Sequence, residues 1–542
     1  MSFDSDTDSV ERRPTKPGRA ACDDLTVENL VTDFDETVDV IVAGSGGGIT
    51  GAYTAAREGL SVVLLEAGDK FGGTTAYSGG GGMWFPCNAV LRRAGSDDTI
   101  EAALTYFHAV VGDRTPRELQ DTYVRGGADL IDYLEADDNF AFSVLPWPDY
   151  YGAAPQARLD GMRHIVATPV SAAALGVDAA LIRGPLDNER FGTPAPDLLT
   201  GGRALIGRFI TALRRFPDVA LHRNSELVDL IVTGGAVVGA VARRGDEILR
   251  IRARRGVLLA AGGFERNPTM RAAFGVPGRI EDSLGAPDNA GAAHQAAMRA
   301  GAVTDLMDQA WWSPGLIHPD GGAVFALWFA GGIFVNQAGR RFVNESAPYD
   351  RVGREIIAEM SAGRVSQPFW MIYDDRRGEV PPIKATNLTL VDTDCYRAAG
   401  LWRTADTVAE LAERIGVPAA ALADTISRYN DMVAAGADTD FGRGDEAYDR
   451  AFSRGKSPLV PIDTAPFHAA AFGLSDLGTK GGLRTDARAR VLDEAGEPIP
   501  GLYAAGNTMA AVSGATYPGG GSPIGASMLF SHIAALDMAN QR

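Results

Sequence analysis

Residues Val38 to Lys70 read VDVIVAGSGGGITGAYTAAREGLSVVLLEAGDK. Val38–Val42 is a short β-branched run of the kind that forms a buried parallel strand. A glycine cluster follows it. Ile49–Glu58 has the pattern of a helix, and Gly59 stops it. Ser61–Leu65 is a second buried strand, ending on Glu66. The unit is therefore βαβ, with a glycine turn and an acid closing its second strand. That arrangement suits a dinucleotide. Glycines let the backbone approach a pyrophosphate, the helix N-terminus attracts its charge, and the acid takes ribose hydroxyls. The spacing departs from G-x-G-x-x-G: after Gly44 and Gly46, Ile49 stands where the third glycine belongs, with Gly48 one residue early and Gly51 two residues late. The loop reads as compressed by one residue.

The segments around this unit point to a long ligand. Gly72, Gly73, Thr74, Thr75, Ser78 and Gly79 form a second small-residue loop just after the acid. Leu227–Val241 is split by Gly234-Gly235, a hairpin signal. Arg255–Phe264 reads as a buried strand ending in paired glycines, and Gly501–Asn507 as one more strand running into a glycine. Several glycine-ended strands, far apart in sequence, suit one large cofactor wrapped by the fold.

Composition narrows the classes. Of 542 residues, 45% are hydrophobic and 22% charged, an ordinary globular balance. A net charge of −18 argues against nucleic acid, whose phosphates want a basic face. Cys22, Cys87 and Cys395 have no metal or disulfide spacing and suit a reducing, cytoplasmic setting. The seven histidines show no zinc spacing, so no metal is expected. No run of apolar residues is long enough to span a bilayer. Residues 1–35 are polar, lack the apolar stretch of a secretion signal, and read as a loosely ordered tail.

Near the other end stands SGATYPGGGSPIG, Ser513 to Gly525. Three consecutive glycines cannot be a strand or a helix interior. Bare backbone beside one phenol, Tyr517, suggests close approach by a ligand; a tyrosine packed on a turn is the plainer reading.

These stretches, with LPWPDYYG, MDQAWWSPGL, GGIFVNQAGRRFVNESAPYDR, FGRGDEAYD and LSDLGTKGGLRTD, resemble the FAD-dependent 3-ketosteroid Δ1-dehydrogenases, within the fumarate reductase-like flavoproteins. The resemblance runs from about residue 36 to the end. It implies an α/β fold: a discontinuous, Rossmann-like FAD-binding domain (36–308 and 476–542) with an inserted α+β catalytic domain (309–475). Helical patterns at Thr407–Ile415 and Ala419–Ala434 populate the insert. Noncovalent FAD is implied, held by Gly44, Ser45, Gly46, Gly47, Gly48, Glu66, Ala67, Gly73, Thr74, Thr75, Ser78, Gly79, Gly262, Gly506, Asn507, Ser522, Pro523 and Ile524. A helix over Gly525–Ala539 would turn its positive end to the flavin.

The implied reaction removes a C2 proton from a 3-ketosteroid and a hydride from C1. It needs an electrophile on the ketone, a base, and a flat apolar slot. The resemblance gives Tyr517 the carbonyl, with the Gly521 N–H beside it in an oxyanion hole. It gives Tyr349 the proton and makes Tyr150, next to Tyr151, the relay. A neighbourhood that lowers a phenol's pKa would make a tyrosinate base. Trp147 and Phe325 are steroid walls, with core packing the rival reading, as for Met83, Trp84, Trp311 and Trp312. Alternatives remain: Δ4-dehydrogenation of 5α-3-ketosteroids, fumarate-type enoate reduction, or an electron-transfer subunit. The implied partners are a 3-ketosteroid and an electron acceptor, a quinone or other. No stable membrane insertion is expected, only peripheral contact in the cytoplasm.

Overall fold

A computed structural model of the chain describes residues 33–541, except 328, 330, 384–389, 391, 392, 452, 454 and 455. Most of the segment read as a tail, residues 1–32, lies outside the described residues. Its last residue, Asp35, is tied to the sheet: its N–H donates to the Arg250 carbonyl at 2.9 Å, and its carboxylate accepts from the Arg250 N–H at 2.7 Å.

The βαβ unit forms the centre of an eight-stranded sheet. Glu36–Ala43 pairs in parallel with Val62–Leu65 on one side and Glu247–Leu259 on the other. Val219–His222 and Pro498–Ala504 extend the parallel core at either end. These central strands are apolar on both faces because helices cover them. Gly234 and Gly235, both at positive φ, turn the antiparallel hairpin Glu226–Thr233/Ala236–Arg244. The long strand of the third segment begins earlier than the sequence suggests and stops at Leu259, leaving 260–263 as loop.

Helix Gly48–Arg57 follows the first strand, and helix Ser522–Ala539 packs on it. A Cβ at Gly47 would sit 1.4 Å from Ser527 Oγ. One at Gly51 would meet Leu258 Cδ2 at 2.6 Å and the Ser531 carbonyl at 2.8 Å. The late third glycine thus serves helix packing rather than the turn.

A second sheet of six antiparallel strands lies between the two parts of the first in sequence. Its order is Ala323–Phe325, Ala310–Ile317, Phe467–Thr479, Phe369–Asp374, Ile333–Val335, with Trp402–Ala405 beside Phe467–Thr479. The boundary expected at Ser475 falls inside the strand Phe467–Thr479. Helices Val408–Ile415 and Ala419–Ala435 pack on this sheet; Thr407 Oγ1 caps the first by accepting from the Glu410 N–H.

The C-terminal helix begins at Ser522, not Gly525. Gly521, at φ +82°, is its N-cap, and Pro523 fits the first turn because its missing N–H has no helical partner there. Between the two sheets lies a separate aromatic cluster containing Tyr77, Tyr150, Trp311, Phe325, Tyr349, Tyr448 and Tyr517.

Candidate active site

One continuous cavity runs from the glycine turn of the first strand to this aromatic cluster. At one end its wall is Gly44–Gly47, Glu66 and Ala67, then Gly73–Thr75 and Ser78, with Gly262, Gly506 and Asn507 opposite. Gly44 has φ +99°, and a Cβ there would lie 2.2 Å from the Ala260 carbonyl. Only bare backbone fits at this turn. Glu66 is buried. Ser45 Oγ donates to its Oε2 and the Gly68 N–H to its Oε1 at 2.9 Å. Burial pushes its carboxyl up despite these donors and the nearby Arg183. Thr74 Oγ1 accepts from the Ala286 N–H at 2.9 Å and Asn289 Nδ2 at 3.0 Å, fixing the second loop to a segment far along the chain.

Three of the residues assigned to the cofactor lie off this wall. Gly48 opens the helix and faces Val42 and Ala260, 2.9 and 3.0 Å from where a Cβ would be. Gly79 presents its carbonyl to Gly201. Ser522 is a loop staple: its Oγ donates to the Gly519 carbonyl at 2.7 Å. Pro523 and Ile524, in the helix's first turn, do reach the cavity, and so does Gly521.

At the far end three phenols meet. Tyr150 and Tyr517 are stacked, with centroids 5.1 Å apart and planes at 21°. Tyr349 stands edge-on to both, at 5.3 and 5.5 Å. Phe325 abuts Tyr349 and Trp311 abuts Tyr517, each edge-to-face. Trp147 completes the wall, while Met83, Trp84 and Trp312 lie outside it, in the core. The Gly521 N–H points at Tyr517 Oη, 3.4 Å away. Two donors at that separation leave room for an acceptor oxygen about 2.9 Å from each.

The protonation expected of these phenols is reversed. Burial is the largest effect at all three and raises every pKa. Tyr150 and Tyr349 stand well above the ordinary phenol value, and Tyr517 is pushed up to about 12. Hydrogen bonds from Tyr349 and the Gly521 N–H pull Tyr517 part of the way back. Neighbouring phenols, carrying no positive charge, cannot offset the desolvation.

The bare glycines of the loop also have a reason that the sequence does not show. A Cβ at Gly519 would meet Trp84 at 2.5 Å and His164 Nε2 at 2.8 Å. At Gly521 it would strike the Gly82 carbonyl at 1.8 Å. At Gly520 it would crowd Trp147 and Tyr150 Oη at 3.1 and 3.2 Å. Two of the three are bare because the protein's own atoms occupy the space. The Tyr150 N–H donates to the Pro518 carbonyl at 2.9 Å, so the loop also carries the third phenol.

Sequence reasoning missed Asn289, Asp288, Tyr77 and Tyr448, the first three on the cavity wall and Tyr448 edge-on to Tyr150. Tyr77 and Tyr448 lay in recognised stretches, FGGTTAYSGGGGMW and FGRGDEAYD; Asp288 and Asn289 carry no local signal. Every charged side chain on the wall, Glu66, Glu226 and Asp288, is acidic among the described residues. No helix of the described residues is long and apolar enough to cross a membrane.

Comparison with known proteins is consistent with this geometry. Residues 39–524 match the family described as FAD binding domain. The 3-oxosteroid 1-dehydrogenase of Mycobacterium tuberculosis is 37% identical over 93% of this chain and 98% of its own length. The 4-oxocyclohexanecarboxylate 2-dehydrogenase of Sinomonas cyclohexanicum is 34% identical over 95% of each. The crystal structure of 3-ketosteroid delta1-dehydrogenase from Sterolibacterium denitrificans, in complex with 1,4-androstadiene-3,17-dione, superposes with a TM-score of 0.85. It is 31% identical, covering 93% of this chain and 99% of that one.

Proposed function

The chain belongs to the 3-oxosteroid 1-dehydrogenase family of FAD-dependent flavoproteins, and we propose that it introduces the C1–C2 double bond into 3-ketosteroids. The observation that carries this reading is the convergence of Tyr150, Tyr349 and Tyr517 with the Gly521 N–H on one wall of the cavity. The glycine wall from Gly44 to Gly506 fits FAD, because it brings bare backbone and the buried Glu66 to one continuous cavity. Gly44–Gly47 and Glu66 would hold its dinucleotide half, and Pro523 and Ile524 would border its ring. No histidine or cysteine stands on the wall among the described residues, so FAD is held noncovalently.

The chain's residues then divide the work. The Tyr517 hydroxyl and the Gly521 N–H hold the ketone oxygen and stabilise the charge that gathers there as the C2 proton leaves. Tyr349 acts as the phenolate: its own hydroxyl proton must first leave by way of Tyr150, and its Oη then receives the C2 proton. Tyr349 opens helix Tyr349–Ser361, whose N-terminal partial charge offsets part of the burial that holds the phenol protonated. Trp147 and Phe325 keep C1 in place and exclude water. Bound FAD supplies the acceptor for the C1 hydride. The 18-residue helix beginning at Ser522 points its positive end at the cofactor's share of the cavity, where negative charge is favoured.

The wall also discriminates between substrates. A carboxylate substrate, whether an oxocyclohexanecarboxylate or fumarate, needs a cation. The wall offers none among the described residues. Arg351, the arginine nearest Tyr349 in sequence, is paired with Glu446 at 2.7 Å. An uncharged ketone suits this surface. We assign the cofactor-binding part to 36–308 and 476–542 and the catalytic part to 309–475, because the two sheets draw their strands from those parts apart from the end of Phe467–Thr479. The setting we assign is cytoplasmic, with an electron acceptor, a quinone or other, taking the electrons.

The test is anaerobic. Mixing the yellow protein with androst-4-ene-3,17-dione should bleach the flavin and give the 1,4-diene. Bleaching only with a 5α-saturated 3-ketosteroid, giving a 4-ene, would move the reaction to Δ4.

A further inference from the structure

Lys480 follows the strand Phe467–Thr479 and has no exposed surface. Its Nζ donates to the carbonyls of Ala515 and Thr516, at 3.2 and 3.0 Å. These are the two residues before Tyr517. The same Nζ lies 4.0 Å from Asp350 Oδ1 and 3.9 Å from the Trp311 ring centroid. Asp350 follows Tyr349, and its Oδ1 makes no hydrogen bond. Trp311 is the ring that abuts Tyr517. Arg354 braces the group: its Nε donates to Asp350 Oδ2 at 3.1 Å and its Nη2 to the Ala515 carbonyl.

A single buried ammonium therefore touches the chain beside Tyr349, the chain beside Tyr517, and the ring packed on Tyr517. Burying an ammonium costs several kcal/mol, and a well-packed apolar residue of similar volume is often as stable or more so. Packing alone does not account for a lysine here. Burial is strong enough to push its pKa down to about 7, against the pull of Asp350. A group under that penalty is kept in place by what it holds.

We propose that Lys480 is a positioning residue, whose Nζ, donating to the two loop carbonyls beside Asp350, fixes the Tyr517 loop and the Tyr349 helix start relative to each other for the proton and carbonyl steps. This rests on the roles given above to Tyr349 and Tyr517. Lys480 touches neither phenol, so it acts through the two backbone carbonyls, Asp350 and Trp311. The groups facing it are Asp350 and Arg354 from the helix, Trp311 from the second sheet, and the 515–516 carbonyls from the loop.

The experiment compares the wild type, Lys480→Met, which keeps the stem and removes the Nζ donors, Tyr517→Phe, and the double variant Lys480→Met/Tyr517→Phe. FAD content, Tm, kcat and KM are measured for each. Lys480→Met should keep its flavin and its KM while kcat falls by about 100-fold, the scale of a 1 Å misplacement. Added to Tyr517→Phe, the same change should cost less than about 10-fold, since the hydroxyl it positions is gone. A kcat for Lys480→Met within about 2-fold of wild type would overturn the proposal. So would equal losses in the two backgrounds. If Lys480→Met fails to fold, Asp350→Asn reads the same link from the other end and should show the same kcat-selective loss; unchanged kcat there overturns the proposal. Full turnover by Tyr517→Phe alone would instead remove the functional reading on which the proposal stands.

Discussion

Tyr517→Phe is the substitution whose outcome the geometry constrains most closely. The ring is held by Tyr150 on its face and by Trp311 and Tyr349 edge-on, at 5.1, 4.8 and 5.5 Å. Phenylalanine keeps all of these contacts. Only the hydroxyl is lost, together with its long 3.4 Å bond from the Gly521 N–H and the bond it accepts from Tyr349. One hydrogen bond of this kind contributes about 0.5–1.5 kcal/mol, so the fold and the bound flavin should survive. Catalysis should not. One of two donors to the developing oxyanion disappears, a loss of about 10²–10³ in kcat, or about 2.7–4 kcal/mol. KM should move little, because the bond gains most of its strength as charge builds on the oxygen. Anaerobic stopped-flow mixing with a 3-ketosteroid reads this directly as the rate of flavin bleaching. A bleaching rate within about tenfold of wild type, in protein with full flavin, would refute the two-donor site.

Four further outcomes follow from the same site. Tyr349→Phe should retain FAD and nearly abolish turnover. In the wild type, kcat/KM should climb with pH to at least about pH 10, because burial and its phenol neighbours hold Tyr349 protonated; a plateau near neutrality would exclude it as the base. Glu66→Ala removes the acceptor of the Ser45 hydroxyl and the Gly68 N–H, and should weaken FAD retention by about 10–100-fold, read by flavin loss on dilution, while steroid affinity changes less. Stability should fall at alkaline pH. Below about pH 10 a phenol is protonated both folded and unfolded; between there and about 12 the unfolded chain loses a proton that Tyr517 keeps. Unfolding is then favoured by up to about 1.4 kcal/mol per pH unit for each such phenol. An unchanged urea midpoint from pH 9 to 11 would contradict the burial of these groups.

The βαβ unit was legible because a parallel strand, a glycine turn and an acid are local signals, each with its own chemistry. The resemblance supplied what local patterns could not: Tyr150, Tyr349 and Tyr517 are 199 and 168 residues apart along the chain, and each alone reads as an ordinary loop tyrosine. Their protonation was misjudged because desolvation depends on what surrounds a phenol in space. The helix start at Ser522 was misplaced because Gly521 and Pro523 look like loop residues until the cap geometry is known. Lys480 stood in a recognised stretch, GTKGGLRTD, yet nothing there shows that its side chain turns inward toward two carbonyls.

The contacts of Gly519 and Gly520 bear on how this enzyme can be altered. Replacing Gly519 alone drives a methyl group into Trp84, and replacing Gly520 presses one against Trp147 and Tyr150, which must give way by a few tenths of an ångström. Libraries that randomise the loop by itself will therefore sample mostly damaged proteins. A smaller residue at 84 paired with alanine at 519, or at 147 paired with alanine at 520, exchanges volume across the contact instead of adding it. The second exchange reshapes a surface that faces the cavity and the first does not. Substrate scope is thus open to redesign through the 147–520 pair, while the 84–519 pair sets how far the loop itself can drift.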